Sequence, residues 1–261
     1  MQTLSVVIIT LNEEANIRDC LESVVWADEI IVMDSGSTDR TVEICREYTD
    51  RVVFREWEGY SPQRNAVIGM ARGDWVLSLD ADERVTPELA VELRSLLARS
   101  DDAGPDGYWV PYKVFYRGRW LRHGGFYPDS TLRLHRLGRG GFGERAVHES
   151  LQIDGPIGRM RGHLEHHTYR SVSDYLDRMQ IYTDLSAQEY LRQGRRTGPI
   201  RMSLRAAFTF FNMYVVKAGF LDGYEGFLMA VLYSVYTFTK YAKLKELAGD
   251  GPDRCPDTRT S

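Results

Sequence analysis

The sequence predicts an α/β protein built on a twisted, mainly parallel sheet with helices on both faces. Three observations carry that prediction. Apolar, β-branched runs alternate with amphipathic helical segments through about Ser100, the succession that right-handed βαβ units require. The apolar runs are continuous rather than alternating, as expected of strands covered on both faces. Three of these runs end abruptly in polar or acidic residues, which in an open parallel sheet fall on the rim where ligands gather.

Leu4 to Leu11 reads as the first strand, with Asn12 as the expected N-cap of the helix that follows. That helix sets Ile17, Cys20, Leu21, Val24 and Val25 on one stripe able to lie on a sheet. Glu29 to Met33 is the second strand. It runs into Asp34-Ser-Gly-Ser-Thr-Asp39, whose Ser37 or Thr38 is expected to cap a helix from Arg40 to about Tyr48. Arg51 to Phe54 is a short third strand, and Ser61 to Arg72 a helix with Pro62 in its first turn, closed by Gly73-Asp74. Trp75 to Leu79 is the fourth strand and stops in Asp80-Ala81-Asp82-Glu83. Thr86-Pro87-Glu88 then opens a helix with Leu89, Leu93, Leu96 and Leu97 along one face.

The pattern changes after a polar seam at Ser100 to Gly107. Tyr108 to Tyr116 and Ser130 to His135 read as antiparallel strands, and Gly138 to Gly143 as a flexible loop or turn. Ser171 or Ser173 caps a long helix carrying Val172, Leu176, Met179 and Thr183 on one face and ending near Gly194. The expected organisation is a ligand-binding half over 1–100, a second half over 101–170, an amphipathic helical region over 171–247 and a disordered tail over 248–261.

Between Tyr190 and Leu221 every charged residue is basic: Arg192, Arg195, Arg196, Arg201, Arg205 and Lys217. The uncharged run between Glu225 and Lys240 would make a helix only about 21 Å long, short of the roughly 30 Å hydrocarbon core, so it does not span a bilayer. Two readings stand for this region. It is a helical hairpin turning at Gly219 to Gly226 that packs on the rest of the chain, or it docks on an anionic membrane surface through the basic cluster beside Phe208, Phe210, Phe211 and Tyr214.

A hydrophobic share of 43% is ordinary for a globular chain. The net charge of -4 and a pI near 5.9 give no whole-molecule case for nucleic acid. Cys20, Cys45 and Cys255 lack paired spacing, so neither a disulfide framework nor a zinc ribbon is indicated. Met1-Gln-Thr-Leu runs into the first strand without a basic segment or cleavage site, so the expectation is no signal peptide and a cytoplasmic chain.

The acidic stretch carries the chemistry. On an extended chain Asp80 and Asp82 point the same way and can share one hard cation, the alternative being a plain acidic turn before the helix. No GxGxxG follows the first strand, which argues against a dinucleotide cofactor. His163, His166 and His167 lie close in sequence, but the further partners of a zinc site are missing.

Taken in order, Thr10-Leu-Asn-Glu-Glu14, Val32-Met-Asp-Ser-Gly-Ser-Thr-Asp39, Gln63-Arg-Asn65 and Leu79-Asp-Ala-Asp-Glu83 resemble the motifs of family 2 inverting glycosyltransferases, which have the GT-A fold. Val147-His-Glu149, His166-His-Thr-Tyr-Arg-Ser171 and Gly219-Phe-Leu-Asp-Gly223 further resemble the branch containing lipopolysaccharide core β-glucosyltransferases. The resemblance implies that Thr10, Asn12 and Glu13 hold the nucleotide and that Asp34 bonds its base or ribose. It places Arg64 and Asn65 at the ribose or diphosphate, Asp80 at the ribose, sugar or metal, and Asp82 on the metal, Mg²⁺ or Mn²⁺. His166 is the match for a histidine near the diphosphate or metal. An inverting transfer also needs a base. Asp129, Glu144 and Glu149 are candidates, and the His-Glu pair favours Glu149, with His148 orienting the acceptor or closing the loop.

These roles imply a metal-dependent hexosyltransferase moving glucose from a UDP-sugar to a lipid-linked saccharide, such as the lipopolysaccharide inner core, at the inner face of the cytoplasmic membrane. Its partners would be the nucleotide-sugar donor, the saccharide acceptor and an anionic membrane surface, with no nucleic acid. The alternatives are a polyprenyl-phosphate sugar synthase and a nucleotide-sugar-binding protein without catalysis.

Overall fold

Strand β1 (Leu4–Thr10) is buried at every position because it lies between two parallel neighbours, β2 (Glu29–Asp34) and β4 (Trp75–Asp80). Its side chains alternate between two cores. Leu4, Val6 and Ile8 pack with Ile17, Cys20 and Leu21 of α1 (Ile17–Glu22) and with Leu89 and Leu93 of α4 (Pro87–Leu97). Val7 and Ile9 face the other way, onto Val67 and Ile68 of α3 (Tyr60–Ile68). The computed structural model describes residues 1–99, 104–143 and 151–249. Within them the chain forms two compact units, one of Met1–Trp120 with Tyr127–Thr168, the other of Leu121–Phe126 with the segment from Tyr169 onward.

The sheet of the first unit runs β3 (Val52–Phe54), β2, β1, β4, β8 (Asp129–Arg136), β6 (Gly107–Tyr116), β12 (Leu164–Tyr169), β5 (Glu83–Val85). The first four strands are parallel, and β8 reverses direction against β4. Strand β7 (Arg119–Leu121) and strand β11 (Ile157–Arg159) also pair with β6.

Several local expectations are corrected. Asn12 is not a helix cap. It sits at φ +55°, and α1 starts only at Ile17. Because α1 ends at Glu22, Val25 leaves the predicted stripe and is exposed. Helix α2 (Thr41–Cys45) is shorter than predicted, and Asp39, not Ser37 or Thr38, accepts the Thr41 N–H at its start. The chain also turns at Ala81–Asp82, so Asp80 and Asp82 do not share a strand. The predicted loop at Gly138–Gly143 contains β9 (Gly140–Phe142), paired antiparallel with β10 (Leu151–Ile153). Glycine is required there by closeness, since a Cβ on Gly140 would lie 2.8 Å from the His135 ring. The caps at Thr86 and Ser171 match the sequence reading, each hydroxyl accepting the N–H three residues on.

The second unit is helical. It holds α5 (Val172–Arg192), α6 (Pro199–Phe211), a π-helical turn (Asn212–Val216), a 3-10 turn (Gly219–Asp222) and α7 (Gly223–Gly249). Buried Asp222 pins the Leu121–Phe126 segment, accepting the N–H groups of Arg122 and His123 and pairing with His123 Nδ1 at 2.9 Å. No helix among the described residues is long and apolar enough to cross a membrane.

His135 on β8 is fully buried, and neither ring nitrogen has a hydrogen-bond partner among the described residues. Burial pushes its pKa down from 6.5 to about 4. The unfolded chain therefore binds a proton that the folded chain refuses between these values, so stability is intact above pH 6.5 and falls as the pH drops toward 4. That difference corresponds to about 3 kcal/mol. Urea unfolding of the native chain and of His135→Leu from pH 7 to 4.5 should show the native chain losing stability relative to the variant on acidification. Parallel pH profiles would count against a neutral buried His135.

Candidate active site

The carboxyl ends of the parallel strands bring together residues that lie far apart in sequence. Thr10 ends β1 in register with Asp34 of β2, and Ile9 is in register with Asp80 of β4. Thr10 is buried, and its hydroxyl has no hydrogen-bond partner among the described residues. Asp34 is also buried. It folds the following loop around itself, accepting the N–H groups of Gly36 and Ser37 and the Ser37 hydroxyl. Asn12 ties the two loops together: its N–H donates to Ser37 Oγ at 2.8 Å, and its Oδ1 accepts the Thr38 N–H at 2.8 Å. Glu13 accepts from the Asn16 amide at 2.6 Å, while its own N–H donates to Thr41 Oγ1.

Asp80 is clamped between two guanidinium groups. Arg64 from α3 donates to Oδ1 at 2.7 Å, and Arg133 from β8 donates to Oδ2 at 2.7 Å. Burial works against its charge, but the two arginines prevail and hold the carboxyl well below the usual range. Arg64 is itself sandwiched, with its guanidinium 5.5 Å from the Tyr60 ring and 5.1 Å from that of Phe142. Asn65, one residue on, spends both ends of its amide on the backbone N–H and carbonyl of Phe142, each at 2.8 Å. It therefore anchors the glycine-rich β9 against α3.

Arg133 and Glu83 form the floor of this site, and their role was not apparent from the sequence. Glu83 is fully buried. Its Oε2 accepts the Asp80 N–H at 2.9 Å, and its Oε1 receives Arg133 and the Tyr112 hydroxyl. Arg133 Nε also donates to that hydroxyl at 2.8 Å. Burial raises the Glu83 pKa against the opposing pull of Arg133. The available signal was a lone arginine between Leu132 and Leu134 in a strand whose neighbours are buried.

Asp82 faces a different partner. Its Oδ2 lies 3.5 Å from Nε2 of His166, which β12 carries opposite Glu83 of β5. The His166 ring rests on Tyr112 at 5.5 Å. Burial disfavours the imidazolium, but Asp82, backed by Glu83 and Asp80, raises its pKa to about 9. The other two histidines point elsewhere, His163 to the Tyr127 hydroxyl and His167 between Arg84 and Glu165. No cluster of three or more His, Cys, Asp or Glu ligands occurs among the described residues. Asp82 and His166 supply one carboxylate and one imidazole 3.5 Å apart, a donor pair that suits a divalent cation taking its other ligands from phosphate oxygens and water once the imidazole gives up the proton that Asp82 favours. Asp80, with both oxygens engaged, stands beside that pair. Asp129 begins β8, exposed, and accepts the Ser130 N–H. The predicted base Glu149, its neighbour His148 and Glu144 lie outside the described residues.

A rim of this kind belongs to α/β proteins that bind ligands across the carboxyl ends of parallel strands. Within that class the chain belongs to glycosyl transferase family 2, whose profile matches residues 5–165. It is 31% identical over 253 residues to the lipopolysaccharide core biosynthesis glycosyltransferase LpsC of Rhizobium meliloti (strain 1021), covering 92% of this chain and 91% of that protein. It is 28% identical over 259 residues to the uncharacterized glycosyltransferase RT0209 of Rickettsia typhi, covering 95% of this chain and 88% of the relative. Among solved structures it is similar to S. aureus TarS 1-349 in complex with UDP-GlcNAc, with a TM-score of 0.49 and 16% identity over 95% of this chain and 92% of that one.

Removing Arg133 alone would strand a buried carboxylate. Arg133→Met should lower unfolding stability by about 3 kcal/mol or more, since breaking one side of a buried ion pair leaves the other charge uncompensated. Arg133→Met with Glu83→Gln should recover part of that loss. Equal stabilities of the single and double variants by urea titration would show that Arg133 does not offset the Glu83 charge.

Proposed function

We propose that the protein transfers a sugar, glucose in our assignment, from a UDP-sugar to a lipid-linked saccharide such as the lipopolysaccharide inner core, with inversion at the anomeric carbon. The observation that carries this reading is the Asp82–His166 pair beside the clamped Asp80, on the same rim as Thr10 and Asp34. The likeness to LpsC, a lipopolysaccharide core biosynthesis glycosyltransferase, supports the saccharide acceptor. Residues 1–100 hold the donor, 101–170 receive the acceptor, and the helices of 171–247 serve a membrane-borne substrate at the inner face of the cytoplasmic membrane.

In this reading Asp34 and the loop it organises accept hydrogen bonds from the base or ribose, so ligands lacking those donors are rejected. Thr10, Asn12 and Glu13 line the nucleotide, and Asp80, kept ionised by two arginines, orients the ribose or sugar. Arg64 and Asn65 border the diphosphate side. Asp82 and His166 would hold Mg²⁺ or Mn²⁺, which supplies neutralising charge for the departing nucleoside diphosphate. Glu149 accepts the proton of the attacking hydroxyl, and His148 positions the acceptor.

Nucleoside diphosphate release should be measured with a panel of nucleotide sugars, Mg²⁺ or Mn²⁺, and lipid A-core acceptors. Asp82→Asn should lower turnover at least about a hundredfold, the scale of losing a preorganised electrostatic contact. Glu149→Gln should abolish transfer to a hydroxyl while leaving donor binding intact. Failure of every donor to release diphosphate would overturn the transferase reading. Undiminished turnover in Glu149→Gln would instead point to an acceptor that is already ionised, as a polyprenyl phosphate is.

A further inference from the structure

The most exposed apolar row of the helical unit is not on its longest uncharged run. Helix α7 carries that run but turns Met229, Ala230, Leu232, Tyr241 and Leu244 inward. The most exposed row lies on α6, with Ile200 at 76%, Leu204 at 65%, Phe208 at 65% and Phe211 at 52% of their full accessibility, above Phe227, Val235 and Phe238 of the α7 run. Their spacing puts them on one face of the helix. Exposed apolar residues continue at Val215 and Val216 in the π-helical turn, at Phe220 and Leu221 in the 3-10 turn, and at Tyr224. On its other side α6 is seated on α7, with Ala206 buried, Ser234 donating to the Ala206 carbonyl at 2.8 Å, and Thr209 hydrogen-bonded to Thr237. Helix α6 thus has one face committed to the bundle and a second, apolar face in solvent, an arrangement that marks an interaction surface.

The charge around this face identifies its occupant. Arg195 and Arg196 precede α6, Arg201 and Arg205 each follow an exposed apolar residue by one position, and Lys217 follows the π-helical turn. All five are exposed, and no acidic residue occurs between Tyr190 and Leu221. The Arg205 guanidinium lies 5.3 Å from the Tyr241 ring of α7. A rim of single sign opposes a self-complementary contact with a second copy. It suits a surface of closely spaced phosphates above hydrocarbon. At 13 residues, α6 is about 20 Å long and cannot cross a bilayer.

We propose that α6 and the turns after it are a docking surface for an anionic lipid bilayer. The helix lies in the interface plane, with Ile200, Leu204, Phe208 and Phe211 at the acyl boundary and the basic rim on lipid phosphates. This deepens the functional reading, from which it takes only the membrane-borne acceptor; docking itself needs neither donor nor acceptor.

Co-sedimentation of the full chain with vesicles tests it, comparing phosphatidylcholine alone with phosphatidylcholine containing phosphatidylglycerol. Binding should require the anionic lipid and weaken with added salt. It should fall about fivefold for each of Arg201→Ser and Arg205→Ser. Leu204→Glu with Phe208→Glu should abolish it, with an unchanged thermal melt and unchanged UDP affinity by calorimetry. The inference is overturned if the native chain stays in the supernatant with both vesicles, or if the double variant still sediments. It is also overturned if Leu204 and Phe208 are needed instead for concentration-dependent self-association. Loss of vesicle binding with transfer to a detergent-dispersed acceptor intact would remove the docking surface and leave the transferase reading standing.

Discussion

The buried arginine between Asp80, Glu83 and Tyr112 is the constraint around which the catalytic unit is arranged. Three carboxylates crowd into four residues at the end of β4, and mutual repulsion would favour protonating one of them. Arg133 resolves the conflict from the adjacent strand β8. Because β8 runs antiparallel to β4, its side chain reaches two of the acids at once. Arg64 completes the balance from α3. Asp80 is thereby held ionised and immobile, and Asp82 is left to face His166. A preformed, charge-balanced rim of this sort needs little reorganisation when a charged ligand arrives, which is how fixed polar groups outperform solvent.

Topology explains why His166 can join a motif so distant in sequence. Strand β5 is only three residues long and follows β4 after a tight turn, yet it pairs at the opposite edge of the sheet with β12. That pairing sets His166 across from Glu83. The acidic motif is therefore held at two places, by the parallel sheet through β4 and by the antiparallel edge through β5. The turn between them carries Asp82.

What could be read from the sequence divides along the same line between local and non-local causes. Strands β1, β2 and β4 were legible because continuous burial writes itself as unbroken apolar runs. Thr86 and Ser171 were legible because a cap involves residues three apart. Asp80, Asp82, Asp34 and Asn12 stood out because polar residues end apolar strands. Arg133, by contrast, looks like any arginine until β8 is laid against β4. Gly140 looks like a loop glycine until the His135 ring is placed beneath it. The ends of α1 and α2 were missed for a related reason. These helices are one or two turns long, so tertiary contacts rather than periodicity decide where they stop, as the exposed Val25 shows.

The helical unit shows that hydrophobicity along a sequence and hydrophobicity at a surface are separate properties. Helix α7 has the longer uncharged run, but it packs against α5 and α6, which bury Met229, Ala230 and Leu232, while Phe227, Val235 and Phe238 stay less exposed than the α6 row. Helix α6 is shorter and interrupted by two arginines, yet those arginines flank the exposed row without breaking it. Long cationic side chains can keep their stems on an apolar surface while their heads reach water or phosphate. A helix that is apolar on two faces, with charge confined to the seams, has a use for both: one binds it to its own fold, and the other is available to a phase that the fold does not contain.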